Sequence, residues 1–218
     1  MRLEKMDAFF EARLTGYEDH MLKNIHGAEE FYPFTAAALP DAPGAEILDL
    51  GCGTGLELRW YFRRNPSAAI TGIDLSAGML EALEKTYPDK KLHLICGSYF
   101  DVPFGKEAFD GAVSVESLHH FTLEEKIPLY AKLHDSLKPG GYFVLTDYFS
   151  LSDGEEKLHR QALLSLRQAQ DLPEDVLYHY DTPLTVEHER QALLSAGFAA
   201  VEVLKNWGAT YTLKALRI

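Results

Sequence analysis

The chain has 218 residues, 46% hydrophobic and 25% charged, the size and composition of one globular domain with a full core. Lys and Arg number 21 against 33 Asp and Glu, a formal net charge of −12, so no global field draws a polyanion or an anionic membrane. Two cysteines, Cys52 and Cys96, give no disulfide framework and fit a reducing cytoplasm. No apolar run nears the roughly 18 residues of a membrane span, and the acid-bearing start MRLEKMDAFFEARL does not read as a signal peptide.

Residues 1–41 read as a helical cap. Phe9, Phe10, Leu14, Met21, Leu22, Ile25, Phe31 and Phe34 recur near helical spacing, with a break at Thr15-Gly16 and an end at Pro40 and Pro43-Gly44. Residues 45–148 then alternate. Strands are expected at Glu46–Leu50, Ala69–Asp74, Lys91–Cys96, Phe109–Val115 and Gly141–Asp147, and helices at Gly55–Arg64, Ser76–Tyr87 and Thr122–Leu137. Runs such as ILDL, AVSV and YFVLTD are apolar on both faces, which suits strands covered by helices on each side. Lys138-Pro139-Gly140-Gly141 reads as a turn without chemistry. Residues 152–181 look like a helical insert closed by Pro173. Residues 184–218 read as a last helix, Leu184–Ala196, and two strands, Ala199–Leu204 and Ala209–Arg217. The short link Lys205–Gly208 makes those two strands an antiparallel hairpin. The expectation is a single α/β domain with a doubly wound, mostly parallel seven-stranded sheet and an antiparallel last strand.

ILDLGCGTGLEL, residues 47–58, is strand, glycine turn and helix. Gly51, Gly53 and Gly55 permit a sharp turn and the close approach of a ligand, and a helix N-terminus beyond them offers free N–H groups. Asp49 precedes the turn. Asp74 ends the next strand, where an acid can accept both hydroxyls of a ribose. Together they imply an adenosine-containing ligand. The spacing G-x-G-x-G differs from the dinucleotide G-x-G-x-x-G, which places a nicotinamide oxidoreductase last among the readings.

The loop resembles the first motif of the class I S-adenosylmethionine-dependent methyltransferases. GIDLSAGML resembles their second motif, GSYFDVPF the segment flanking the adenine, FDGAVSVESLHHF the fourth strand with its active-site loop, and LKPGGYFVLTDY the turn into the fifth strand. The resemblance implies a Rossmann-like fold and S-adenosylmethionine as cofactor, with S-adenosylhomocysteine as product. It implies cofactor contacts from Asp49, Gly51, Cys52, Gly53, Gly55, Asp74, Leu75, Met79, Ser98, Tyr99 and Glu116. Ser98 stands where many members carry Asp. On the residues alone, Cys52 is a small residue in a tight turn and Cys96 belongs to the core. The front helices and tail are also similar to the branch with the carboxy-S-adenosylmethionine synthases of tRNA wobble-uridine modification.

Glu116, His119 and His120 follow the fourth strand, on the ligand-binding edge. Two adjacent histidines do not easily both bury, so one is expected to face the cleft. There a neutral imidazole with a pKa near 6.5 suits an acid–base role. His119 and His120 are therefore the catalytic candidates, His119 first. Tyr17, His20, Tyr148, Phe149 and Trp207 are available to wall a small, partly apolar acceptor. No His, Asp and Glu set has metal-ligand spacing, so no metal is expected. The expected activity is in-line methyl transfer to a small molecule, with no membrane or nucleic-acid partner and an open oligomeric state, a homodimer included. A carboxy-S-adenosylmethionine synthase ranks second, because it needs a cation for the extra carboxylate and only Arg160 and Arg167 of the insert offer one. A silent cofactor-binding partner protein is the rival from outside enzymology. The front helices are expected to form a lid hinged at Gly16.

Overall fold

A computed structural model describes residues 1–173 and 175–218; of the 152–181 insert, Glu174 lies outside the described residues. Seven strands form one sheet: β1 (Glu46–Leu50), β2 (Ala69–Asp74), β3 (Lys91–Cys96), β4 (Phe109–Val115), β5 (Leu137–Tyr148), β6 (Ala200–Trp207) and β7 (Thr210–Leu216), in the order β3-β2-β1-β4-β5-β7-β6. β1 to β5 pair in parallel, and β7 runs antiparallel between β5 and β6. This is the Rossmann-like arrangement that the sequence predicts.

Successive residues of the central strands point to opposite faces. Leu48, Ala112, Phe143 and Leu145 pack with α6 (Leu123–Ser136) and α8 (Val186–Ser195). Ile47, Val113 and Val144 pack with α3 (Ala28–Ala38) and α4 (Leu58–Arg64). α5 (Ala77–Thr86) covers this second face through Leu80 and Leu83.

The cap holds α1 (Met6–Arg13), α2 (Tyr17–Asn24) and α3. Gly16 and Gly27 precede α2 and α3 at φ of 89° and 79°, so the expected break at Gly16 is present and a second one follows. Thr35 of α3 meets Thr146 at 2.5 Å, and Thr146 meets Thr212 at 2.8 Å. This buried hydroxyl chain ties α3 to β5 and β7. α7 (Asp153–Ala169) forms the body of the insert. Among the described residues, no helix is long and apolar enough to cross a membrane.

Three boundaries differ from expectation by three or more residues. α4 starts at Leu58 rather than Gly55, because residues 51–57 are spent on the turn. Lys138 to Gly141 lie within β5; the pairing jumps from Phe109↔Leu137 to Gly111↔Tyr142, so the extra residues are absorbed as a bulge. The hairpin turn sits at Gly208-Ala209, since β6 pairs through Trp207 opposite Thr210.

Candidate active site

The carboxyl ends of β1, β2 and β4 open into a narrow slot. Gly51, Gly53, Asp74, Leu75, Met79, Tyr99, Glu116 and Ser117 line it, and Met6, Phe10, Tyr17 and His120 close it. Seven of the residues expected to hold a cofactor therefore meet in one place. Gly51 has φ 72°, and a Cβ there would stand 2.1 Å from Ser117 Oγ, so this wall has no room for a side chain. Asp74 accepts hydrogen bonds from Gly53 N–H at Oδ2 and from Ser76 N–H at Oδ1, both at 2.9 Å. Two bonds leave about half of a carboxylate's lone-pair sites free. Burial pushes the Asp74 carboxyl up, and the N–H groups of Ser76, Gly53 and Leu75 pull it back.

Tyr99 is held from below. Lys132 of α6 donates to the carbonyls of Tyr99, Phe100 and Val102 at 2.6, 2.8 and 2.9 Å. The Tyr99 hydroxyl reaches Ser117 Oγ at 3.3 Å. Ser117 lies in the loop FDGAVSVESLHHF that the sequence singles out, whereas Lys132 carries no motif signal.

Four expected cofactor residues lie outside the slot's lining. Gly55 is a packing glycine, since a Cβ there would meet Leu83 at 2.4 Å. Cys52 is buried, and a Cβ on Gly72 would stand 2.8 Å from its sulfur. Ser98 accepts from Phe100 N–H at 3.2 Å and so shapes its own turn. Asp49 is 1% exposed beside the equally buried Glu57, and burial, then Glu57, holds its carboxyl well above the usual range. Cys96 is exposed rather than core, because its strand end is open to solvent.

A larger cavity, open to solvent, adjoins the slot. The two share Phe10, Tyr17, Glu116 and His120. Tyr17, His20, Tyr148 and Trp207, expected to wall an acceptor, all line this cavity, as do His119, His179 and Asp181. Phe149 does not; it is 1% exposed in the core.

His119 and His120 lie in a short 3-10 turn, Leu118–His120. Contrary to expectation both are buried, at 8% and 7% exposure, because distant acids partner them. Asp147, at the end of β5, holds His119 Nδ1 at 2.5 Å and accepts from the N–H groups of Leu118 and Tyr148 at 2.8 and 2.9 Å. Asp181 lies 3.1 Å from His120 Nδ1 and 3.6 Å from His119 Nε2. Burial opposes charge on His119, but Asp147, then Asp181 and Glu116, override it and raise the pKa to about 9. That upward direction departs from the unperturbed imidazole expected. Burial, then the His119 charge, lowers His120, and burial pulls His179 down to about 4. Burial and then Asp147 raise Glu116 to about 8. Glu116 also has φ 50°, a conformation that costs a non-glycine residue about 1–3 kcal/mol. The strained backbone aims its side chain between slot and cavity.

These geometries fit an adenosyl sulfonium ligand: a wall without Cβ atoms, a half-occupied carboxylate and a clamped tyrosine. The comparisons agree. A family model described as a methyltransferase domain matches residues 48–145. The O-methyltransferase cnsE of Penicillium expansum is 31% identical over 175 residues, covering 76% of this chain and 56% of that protein. The erythromycin 3''-O-methyltransferase of Saccharopolyspora erythraea is 32% identical over 154 residues, covering 64% and 50%. The chain spans about half the length of these curated relatives. Human N-acetylserotonin methyltransferase, solved in complex with its cofactor, superposes with a TM-score of 0.67 at 17% identity, over 97% of this chain and 56% of that one; that likeness concerns the fold. The domain match starts inside β1 and ends inside β5, taking in the strand ends that build the slot, and over residues 48–145 the chain is a class I S-adenosylmethionine-dependent methyltransferase domain.

Proposed function

We propose that this chain transfers a methyl group from S-adenosylmethionine to a small, partly aromatic acceptor held beneath the cap. One observation carries the reading: the cofactor slot and the larger cavity share a wall of Phe10, Tyr17, Glu116 and His120. A ligand in each would meet there. The cofactor supplies an electrophilic methyl on a sulfonium. The protein's part is alignment and exclusion of water, effects that can supply roughly 7–11 kcal/mol of a barrier.

Asp74 would hold the ribose, Tyr99 would pack on the adenine, and Gly51 and Gly53 would let the backbone approach. His119, fixed by Asp147 at Nδ1, would present Nε2 to the cavity beside Asp181. The rings of Phe9, Phe10, Tyr17, Tyr148 and Trp207 favour a flat or apolar acceptor body, and His20, His179 and Asp181 favour a polar end. The acceptor in one relative's name, erythromycin, is a small molecule and supports this class. A carboxylated cofactor finds less support. Arg160 pairs with Glu124 at 2.8 Å, and Arg160 and Arg167 line a separate groove. A net charge of −12 weighs against a nucleic-acid acceptor.

Mass spectrometry of ligand carried through purification, followed by labelled-methyl transfer against a panel of phenols, amines and hydroxylated metabolites, tests the reading. S-adenosylmethionine or S-adenosylhomocysteine is the expected ligand. A nicotinamide dinucleotide, a carboxylated cofactor, or failure of S-adenosylhomocysteine to bind at millimolar concentration would overturn it.

A further inference from the structure

We infer that His119, His120 and Asp181 form a binding site for one divalent transition-metal ion at the floor of the acceptor cavity. One ligand atom from each lies within 4.8 Å of the others. Asp181 Oδ1 is 3.1 Å from His120 Nδ1 and 3.6 Å from His119 Nε2. Ligands about 2.1 Å from a tetrahedral ion stand roughly 3.4 Å apart, so two of the three edges already have metal-site length. The far nitrogen of His119 is held by Asp147 at 2.5 Å. That is the carboxylate–histidine arrangement that orients a metal-bound imidazole.

The surroundings suit an ion with an open position. Both histidines are buried, whereas the Asp181 side chain is 47% exposed toward the cavity. Three protein ligands leave at least one place for water or an acceptor oxygen. Two imidazoles and one carboxylate select zinc, manganese, iron or cobalt over magnesium and calcium. Sequence spacing hides the site, because Asp181 follows the histidines only after the whole of α6, β5 and α7. Such an ion would bind an acceptor hydroxyl as its oxyanion, forming the metal–oxygen bond as the O–H proton leaves to water. That role rests on the transferase reading; the binding itself does not.

The competing account is a set of hydrogen bonds alone, with Asp181 accepting from both rings. Chelator-stripped protein titrated with Co²⁺ and with Zn²⁺ separates the two. One equivalent should bind, with visible d–d absorption for Co²⁺. Asp181→Asn and His120→Gln should weaken binding by about 10-fold or more, and Asp147→Asn, which acts through His119, by about 10–100-fold. His134→Gln, remote from the cavity, should leave it unchanged. Absence of stoichiometric uptake, or uptake unaltered in both Asp181→Asn and His120→Gln, overturns the site. S-adenosylhomocysteine affinity and melting temperature are read on the same samples. Metal uptake without S-adenosylhomocysteine binding sinks the transferase reading and keeps the site; the reverse sinks the site alone.

Discussion

Replacing Asp74 by Asn removes a charge at the one carboxylate that faces the slot from the end of β2. In the free protein that carboxylate accepts two backbone N–H groups, from Gly53 and Ser76. Asn has one oxygen, so it can satisfy one of them while its NH₂ confronts the other. Leaving a buried donor unpaired costs about 1–3 kcal/mol of stability. Ligand affinity is a separate quantity. A hydrogen bond to a charged group contributes about 1.5–3 kcal/mol, and about 1.4 kcal/mol is tenfold. Asp74→Asn should therefore weaken S-adenosylhomocysteine binding by roughly 10- to 150-fold in calorimetry. Competition by adenosine and by 2′,3′-dideoxyadenosine assigns the loss to the ribose. The native protein should prefer adenosine by a similar factor, and the variant should lose that preference. Affinity within threefold of native, or an undiminished preference, would refute the ribose assignment.

Lys126 of α6 and Glu189 of α8 are 1% and 0% exposed and pair at 2.6 Å, with the Tyr130 hydroxyl also on Glu189. Lys126→Met should cost about 3–5 kcal/mol, a melting-temperature loss of roughly 6–20 °C; a drop under 2 °C counts against the pair. Glu116 and His119 both hold protons in the folded state that the unfolded chain has released, with pKa values of about 8 and about 9. Above about pH 6.5, where the lowered His120 and His179 are neutral folded or unfolded, metal-free stability to urea should therefore fall as pH rises to about 9, and a rising profile in that window would contradict both assignments. His119→Gln should lower turnover by about 10²–10⁴ with cofactor affinity unchanged, and full activity in that variant and in His120→Gln removes the pair from the chemistry. Glu11 of α1 accepts from Ser76 Oγ and Gly78 N–H at 2.7 and 3.2 Å, latching the cap over the slot. Hydrogen exchange in residues 1–25 should slow with S-adenosylhomocysteine, and Glu11→Gln should speed it; exchange equal in all samples denies a lid.

The sheet was legible because its signals are local. Each strand carries its own apolar run, and the glycine loop and Asp74 are fixed by where β1 and β2 end. The partners of His119 were not legible, since Asp147 and Asp181 reach it across 28 and 62 positions and no periodicity links them. Burial of both histidines follows from those acids, so the expectation that the two could not both bury failed for the same reason, although both line the larger cavity. Gly55 looked like part of the cradle because it does belong to the turn, at φ 74°, but its missing Cβ makes room for Leu83 rather than for a ligand. Lys132 is one lysine among many on a helix until the chain brings three carbonyls to it.

The two left-handed glycines that bracket α2 divide labour within the cap. α3 is fixed to the sheet through Thr35, Thr146 and Thr212. α1 and α2 supply Phe9, Ala12, His20, Met21 and Asn24 to the large cavity, and none of these five lines the slot. Substitutions at those five positions can recut the larger cavity while the slot lining stays intact. On the proposed reading, a lineage could thus exchange one acceptor for another by drift at a few cap positions that avoid Phe10, Glu11 and Tyr17, without reinventing the fold beneath them.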